Sequence, residues 1–120
     1  MCPTIVLDNQ GRTEMVIGGA GGTKITTAVA QNFIRKFYQG LSLGHAVADP
    51  RLHHQLLPMK AQYQNDYDTA ILSSLEKIGH ETSSYSYTSS FAPAIFVNFE
   101  NGTIEAKGDN RKANNEPAGI

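Results

Sequence analysis

Val16-Ile17-Gly18-Gly19-Ala20-Gly21-Gly22-Thr23-Lys24-Ile25-Thr26-Thr27 decides how the chain is read, because a strand runs through a glycine-rich turn into a helix. Before the turn, Glu14-Met15-Val16-Ile17 reads as a strand. After it, Ile25, Ala28, Val29, Phe33 and Phe37 recur at helical spacing while Lys24, Gln31, Arg35 and Lys36 face elsewhere. Glycine permits positive φ and lets a ligand approach the main chain with no Cβ in the way. Such a turn exposes backbone N–H groups at the positive end of the helix dipole. It suits a phosphate, a carboxylate or the oxyanion of an acyl-transfer transition state. A tight turn that lets helix and strand pack closely accounts for the same residues. The familiar phosphate motifs do not fit. Thr23 follows Gly22 and Lys24 is followed by Ile25, so this is not a P-loop. A dinucleotide fingerprint starting at Gly19-Ala20-Gly21 requires glycine where Lys24 stands.

Working outward, Thr4-Ile5-Val6-Leu7 is apolar and β-branched, and Asp8-Asn9-Gln10-Gly11 supplies a turn into the second strand. Gly40 closes the first helix. Ser42 can cap a short second helix through Gly44-His45-Ala46-Val47, ended by Asp49-Pro50. Arg51 to Leu57 reads as extended into Pro58, and Lys60 to Gln64 as a short strand. Asp66 or Asp68 caps a helix carrying Ala70, Ile71, Leu75 and Ile78, with Gly79 at its end. Thr82 to Ser90 alternates Ser, Tyr and Thr like a strand, and Ala94–Phe99, Asn101-Gly102 and Thr103–Ala106 form the clearest hairpin. The order ββααββαβββ predicts an α+β structure with mostly antiparallel strands.

The 120 residues have room for one domain, and 40% hydrophobic with 18% charged residues is a globular composition. A net charge of −1 with both signs scattered gives no footprint for nucleic acid or an anionic membrane. Apolar runs break long before the ~20 residues of a membrane span. No signal-peptide pattern opens the chain. Cys2 is the single cysteine, so no intrachain disulfide forms. Asn101-Gly102-Thr103 fits the N-glycosylation acceptor pattern, which would suit a secreted protein, and also reads as a plain Asn-Gly hairpin turn. The chain enters a strand almost at once and stops on Ala118-Gly119-Ile120 without a polar tail, so it reads as a piece of something longer.

Three stretches, in order along all 120 residues, carry a family resemblance. Met1-Cys2-Pro3-Thr4-Ile5, then Val16 through Thr27, then Ala46-Val47-Ala48-Asp49-Pro50-Arg51-Leu52-His53-His54-Gln55-Leu56-Leu57-Pro58 resemble the small subunit of γ-glutamyltransferases (glutathione hydrolases). The closing Asp109-Asn110-Arg111-Lys112 and Glu116-Pro117-Ala118-Gly119 are similar to that family's C-terminus. The resemblance implies part of a four-layer αββα N-terminal-nucleophile hydrolase. Residues 1–120 would be a single incomplete domain, the C-terminal part of the small subunit. It implies cleavage of γ-glutamyl amides such as glutathione by a threonine freed through self-cleavage. The γ-glutamyl group passes from an acyl-enzyme to water, amino acids or dipeptides. Two adjacent glycines at the strand-to-helix turn make oxyanion and substrate-carboxylate contacts in this family, and they match Gly21 and Gly22. The partners implied are γ-glutamyl compounds and the large subunit of the same precursor. The site implied is the extracellular face of the plasma membrane or the secreted pool, with no metal or cofactor.

The resemblance also implies that the nucleophile is elsewhere. The family's threonine lies upstream of the region this chain covers, as do the residues gripping the substrate's α-amino and α-carboxylate groups, including a serine pair directly before Met1. No threonine of this chain takes its role, so the chain alone is expected to be inactive and loosely folded. Cys2 would become an N-terminal thiol on removal of Met1, but its match in the family is an internal strand residue and it reads as a buried structural cysteine. His53 and His54, neighbours in an extended segment, point to opposite faces and cannot easily share one ligand. Arg51 and His53 read as structural, hydrogen-bonded groups, and His45 and His80 as surface or helix-end residues. Asn114-Asn115 stand where glycines are usual and Ile120 where an aromatic is usual, while Asp109 and Arg111 remain as a loop-fixing ion pair of surface strength. The alternative is a light-chain-only, non-catalytic protein that binds without catalysis. Another amidase of the same superfamily, acting on a β-lactam or an acylated side chain, is a third reading.

Overall fold

Alternation along one strand organises the molecule. In Thr13–Ile17 the side chains of Met15 and Ile17 are buried while Val16 between them is exposed, as the two-residue period of a pleated strand requires. The structure, a computed structural model, describes residues 1–113 and 115–117. Its elements run β1 (Thr4–Leu7), β2 (Thr13–Ile17), α1 (Lys24–Phe37), α2 (Leu43–Ala48), β3 (Leu52–His53), β4 (Lys60–Tyr63), α3 (Thr69–Lys77), β5 (Glu81–Ser84), β6 (Ala94–Asn98) and β7 (Thr103–Lys107). That is the expected ββααββαβββ order.

Two sheets form. The larger, β1-β2-β6-β7, is antiparallel throughout. The smaller, β3-β4-β5, pairs β4 with β5 in parallel because α3 carries the chain back across between them. On the inner face of the large sheet Met15, Ile17, Ala94 and Phe96 pack against Ala28 and Val29 of α1 and Leu43 and Val47 of α2. Each of these side chains larger than alanine contributes about 1.5–3 kcal/mol relative to its exposed state. Ser42 caps α2 by accepting from the His45 N–H, and Asp68 caps α3 by accepting from the Ala70 N–H. The alternative cap for α3, Asp66, lies before that helix with φ of 67°.

Two predicted extended runs are shorter than expected. From Arg51 to Leu57 only Leu52–His53 is strand, since turn bonds from Leu57 N–H to Gln55 O and from Lys60 N–H to Pro58 O fold the rest. From Thr82 to Ser90 the strand ends at Ser84, and Tyr87–Ser89 forms a single 3₁₀ turn. The polar Ser/Tyr/Thr run has no apolar face to hold it flat, and it bends to bring Ser90 under the glycine turn. The outer face of the large sheet is largely apolar, and among the described residues no helix packs on it. Register places Ile5, Val16, Ile95 and Ala106 in one cross-strand row, with Ile5 63% and Ile95 45% exposed. Leu7 and Ile104 extend the same exposed face.

Candidate functional site

The glycine run leaves β2 and is held on both sides. Ala20 and Phe91 exchange two backbone hydrogen bonds of 3.0 Å, and the Gly19 N–H donates to Met1 O at 2.9 Å. At Gly21, φ is 134°, and a Cβ there would lie 2.6 Å from Ser89 O and would overlap Ser90. That position admits glycine alone. Gly22, at φ 61°, has open space where a Cβ would be. The right-handed Thr23 follows the left-handed Gly22, an alternation that turns successive N–H groups toward one point. Lys24 and Ile25 donate to Gly21 O and Gly22 O, whereas the N–H groups of Gly21 and Gly22 bond to no other described residue. Thr23 makes no side-chain cap and no acidic residue occupies the first turn of α1. An uncapped helix start with two free donors and no competing carboxylate favours an anion.

Beside this turn runs an open, apolar groove of about 570 Å³. It is lined by Gly18, Gly19 and Ala20 of the turn and by Val16, Ile95 and Ala106 of the outer sheet face. Gly21 and Gly22 lie outside its lining.

Behind the turn sits a buried ion network. Asp109 Oδ2 accepts from Arg51 Nη2 at 2.7 Å and from the Ala92 N–H at 2.7 Å. Its Oδ1 accepts from Arg111 Nη1 at 2.9 Å and the Arg111 N–H at 3.1 Å. Arg111 also donates to Gln64 Oε1 and to the carbonyls of Val47 and Asp49, which ties the last turn of α2 to the C-terminal loop. Burial pushes the Asp109 carboxyl up, but Arg51, the Ala92 N–H and Arg111 outweigh it and hold the group below its ordinary value of 3.8. Burial lowers the Arg51 guanidinium and raises the Tyr85 phenol. The Asp109–Arg111 pair expected at the surface is thus fully buried, with a second arginine, Arg51, on the same carboxylate. Its spatial role was out of reach of sequence spacing, since Arg51 and Asp109 lie 58 positions apart. Ala92 follows Phe91 directly, so the network braces the segment that pairs with Ala20 of the turn.

The remaining candidates separate cleanly. His53 is buried and structural: Nδ1 lies 2.8 Å from the Thr27 hydroxyl and Nε2 lies 2.8 Å from Gln55 Oε1. Gln55 donates its amide nitrogen to Leu57 O, so its oxygen accepts from Nε2–H and Nδ1 accepts from Thr27. His54 faces His80 on the other side, the rings edge to face at 5.6 Å. His45 is exposed on α2. Cys2 is exposed and precedes β1, a correction to the buried, in-strand placement expected for it. Among the described residues no three His, Cys, Asp or Glu side chains gather as a metal site, and no helix is long and apolar enough to cross a membrane. Asn115 Nδ2 donates to Asp109 O, bracing the loop from within. Asn114 and Ala118-Gly119-Ile120 lie outside the described residues.

A family model described as gamma-glutamyltranspeptidase matches residues 1–118. Glutathione hydrolase proenzyme 1 of Schizosaccharomyces pombe is 39% identical over 110 residues, covering 92% of this chain and 17% of that protein. Scoloptoxin SSD20 of Scolopendra dehaani is 36% identical over 111 residues, covering 92% of this chain and 56% of that protein. A crystal structure of a Helicobacter pylori gamma-glutamyltranspeptidase mutant superposes with a TM-score of 0.84 at 28% identity, over 93% of this chain and 61% of that chain. The chain therefore spans less than two thirds of each relative. Its α+β architecture is that of the N-terminal-nucleophile hydrolases. The chain belongs to the gamma-glutamyltranspeptidase family.

Proposed function

We propose that the chain is the C-terminal part of the small subunit of a γ-glutamyltransferase (glutathione hydrolase), and that it supplies half of the active site. The observation that carries this reading is the Gly21-Gly22 pair, whose N–H groups are free at an uncapped helix start beside an apolar groove. In the assembled enzyme these donors receive the carbonyl oxygen of the γ-glutamyl amide as it becomes an oxyanion, and the substrate carboxylate. The attacking threonine comes from sequence upstream. Its hydroxyl adds to the carbonyl, the amine leaves, and the γ-glutamyl ester is resolved by water, an amino acid or a dipeptide. The bare outer face is the half of an αββα sandwich that the upstream strands cover. The large subunit of the same precursor completes the site, glutathione and related γ-glutamyl compounds are the substrates, and the enzyme works outside the cell, at the plasma membrane or secreted.

The test uses the chain extended upstream through its threonine and assembled with the large subunit. Gly22→Val is expected to lower γ-glutamyl acylation by about 10²–10³-fold, measured by single-turnover release of a γ-glutamyl anilide. An unchanged rate returns the turn to a purely structural role. One observation favours a second reading, a light-chain-only protein that binds without catalysis: scoloptoxin SSD20 is itself less than twice the length of the matched segment. If coding sequence proves to begin at Met1, with no threonine-bearing segment upstream, that reading replaces the first.

A further inference from the structure

We infer that Asn101 is an N-linked glycosylation site, its amide nitrogen taking a glycan from a lipid-pyrophosphate-linked oligosaccharide. Asn101-Gly102-Thr103 is the only Asn-x-Ser/Thr triplet with x other than proline in the chain. The structure adds three things the triplet alone does not carry. First, the site is open: it lies at the tip of the β6–β7 hairpin, its residues are exposed, and nothing lies within 4 Å of where a Gly102 Cβ would be. Second, the local geometry matches the chemistry. Asn101 Oδ1 accepts from the Thr103 hydroxyl at 2.7 Å and from the Thr103 N–H at 3.0 Å, while Asn101 Nδ2 bonds to no described residue. A carboxamide nitrogen is a poor nucleophile because its lone pair is delocalised into the carbonyl. Donors on Oδ1 stabilise the imidate-like form, in which that pair returns to nitrogen. The Nδ2–C1 bond then forms as the C1–O bond to the pyrophosphate breaks, the electron pair leaves with the lipid pyrophosphate, and one amide proton passes to a base of the transferase.

Third, the position tolerates a bulky glycan. Ala94 pairs with Ile17 at the glycine-turn end of the sheet, and β6 runs five residues away from it before the tip. The tip is therefore roughly 15 Å along the strands from the glycine turn. It lies just beyond Asn98 and Thr103, the last paired residues of β6 and β7. A glycan there stands away from the proposed site.

The full chain, fused behind a cleavable secretory leader, is translated with microsomes. The expected result is a single glycosidase-sensitive mobility step, with Asn101 read as aspartate by mass spectrometry after enzymatic release. The step is lost in Asn101→Asp, which keeps the oxygen acceptor of the turn, and in Thr103→Ala, and it persists in Thr103→Ser. Because transfer is read on the translocated chain, a variant that folds poorly still reports. A wild-type chain that enters the lumen without the step, or a step that survives Asn101→Asp, overturns the inference. Neither result bears on the γ-glutamyl reading, which is tested by turnover.

Discussion

The two faces of the large sheet are finished to different degrees. Inside, Met15, Ile17 and Phe96 meet α1 and α2, and the one buried carboxylate of the ion network, Asp109, has all its partners within this chain. Outside, Ile5, Val16 and Ile95 stand in a row with no described residue over them, and the groove beside Gly18–Ala20 is open. The inner face is packed by the chain's own helices, and the outer face is exposed. The glycine turn sits at the junction, braced from the inside and empty-handed on the outside.

The sharpest way to break the inner half is Asp109→Ala. It leaves two buried guanidiniums without their carboxylate and is expected to cost about 3–5 kcal/mol of stability, read by denaturant unfolding. Asp109→Asn, which keeps the acceptor oxygen, should cost less. Gly22→Val comes next and acts on the outer half. Its Cβ enters open space, but at a φ of 61° an L side chain is strained, so about 1–2 kcal/mol of stability is lost, while acylation by the assembled enzyme falls by about 10²–10³-fold, or roughly 2.7–4 kcal/mol. Gly21→Ala is a poorer probe because its Cβ overlaps Ser90 and disturbs both halves.

Acid gives a smaller and graded effect. Asp109 in the folded chain ionises below its ordinary value of 3.8, so its stabilisation is complete above that pH. It is lost as pH falls below 3.8 through the folded value. Unfolding midpoints followed from pH 5 down to 2 should drop for the wild type and stay flatter in Asp109→Asn. The smallest effect on the stability of the chain by itself is predicted for Ile95→Lys. On the bare outer face of the 120-residue chain it should alter stability by less than about 0.5 kcal/mol. In the assembled enzyme the same lysine would be trapped between sheets and should block assembly. Equal, large losses in both settings would mean that the outer face is already covered.

Much of this division was legible in the sequence, and the reasons are local ones. The β2–glycine–α1 passage, the Ser42 and Asp68 caps and the β6–β7 hairpin each depend on residues a few positions apart. The opposite orientations of His53 and His54 follow from strand geometry alone. What stayed hidden depends on contacts across the chain. Arg51 reaches Asp109 only because β3 and the C-terminal loop pass behind the glycine turn, and nothing in either segment announces the distance between them. The same holds for Ser90, whose alternating neighbours read as strand although the close approach to Gly21 forces a bend. The family resemblance puts Cys2 inside a strand, whereas its own φ of 47° sets it outside β1. The sequence marks both Gly21 and Gly22, but residue type alone does not separate their duties. Gly21 is required by a close approach, and Gly22 leaves room for a ligand.

The account rests on this chain holding one half of a γ-glutamyl-transfer site and lacking the nucleophile. The most direct measurement is release of the aniline from a γ-glutamyl anilide, made side by side on the purified 120-residue chain and on the chain extended through its upstream threonine and assembled with the large subunit. No release is expected from the first, and turnover is expected from the second. Turnover by the 120-residue chain alone would contradict it.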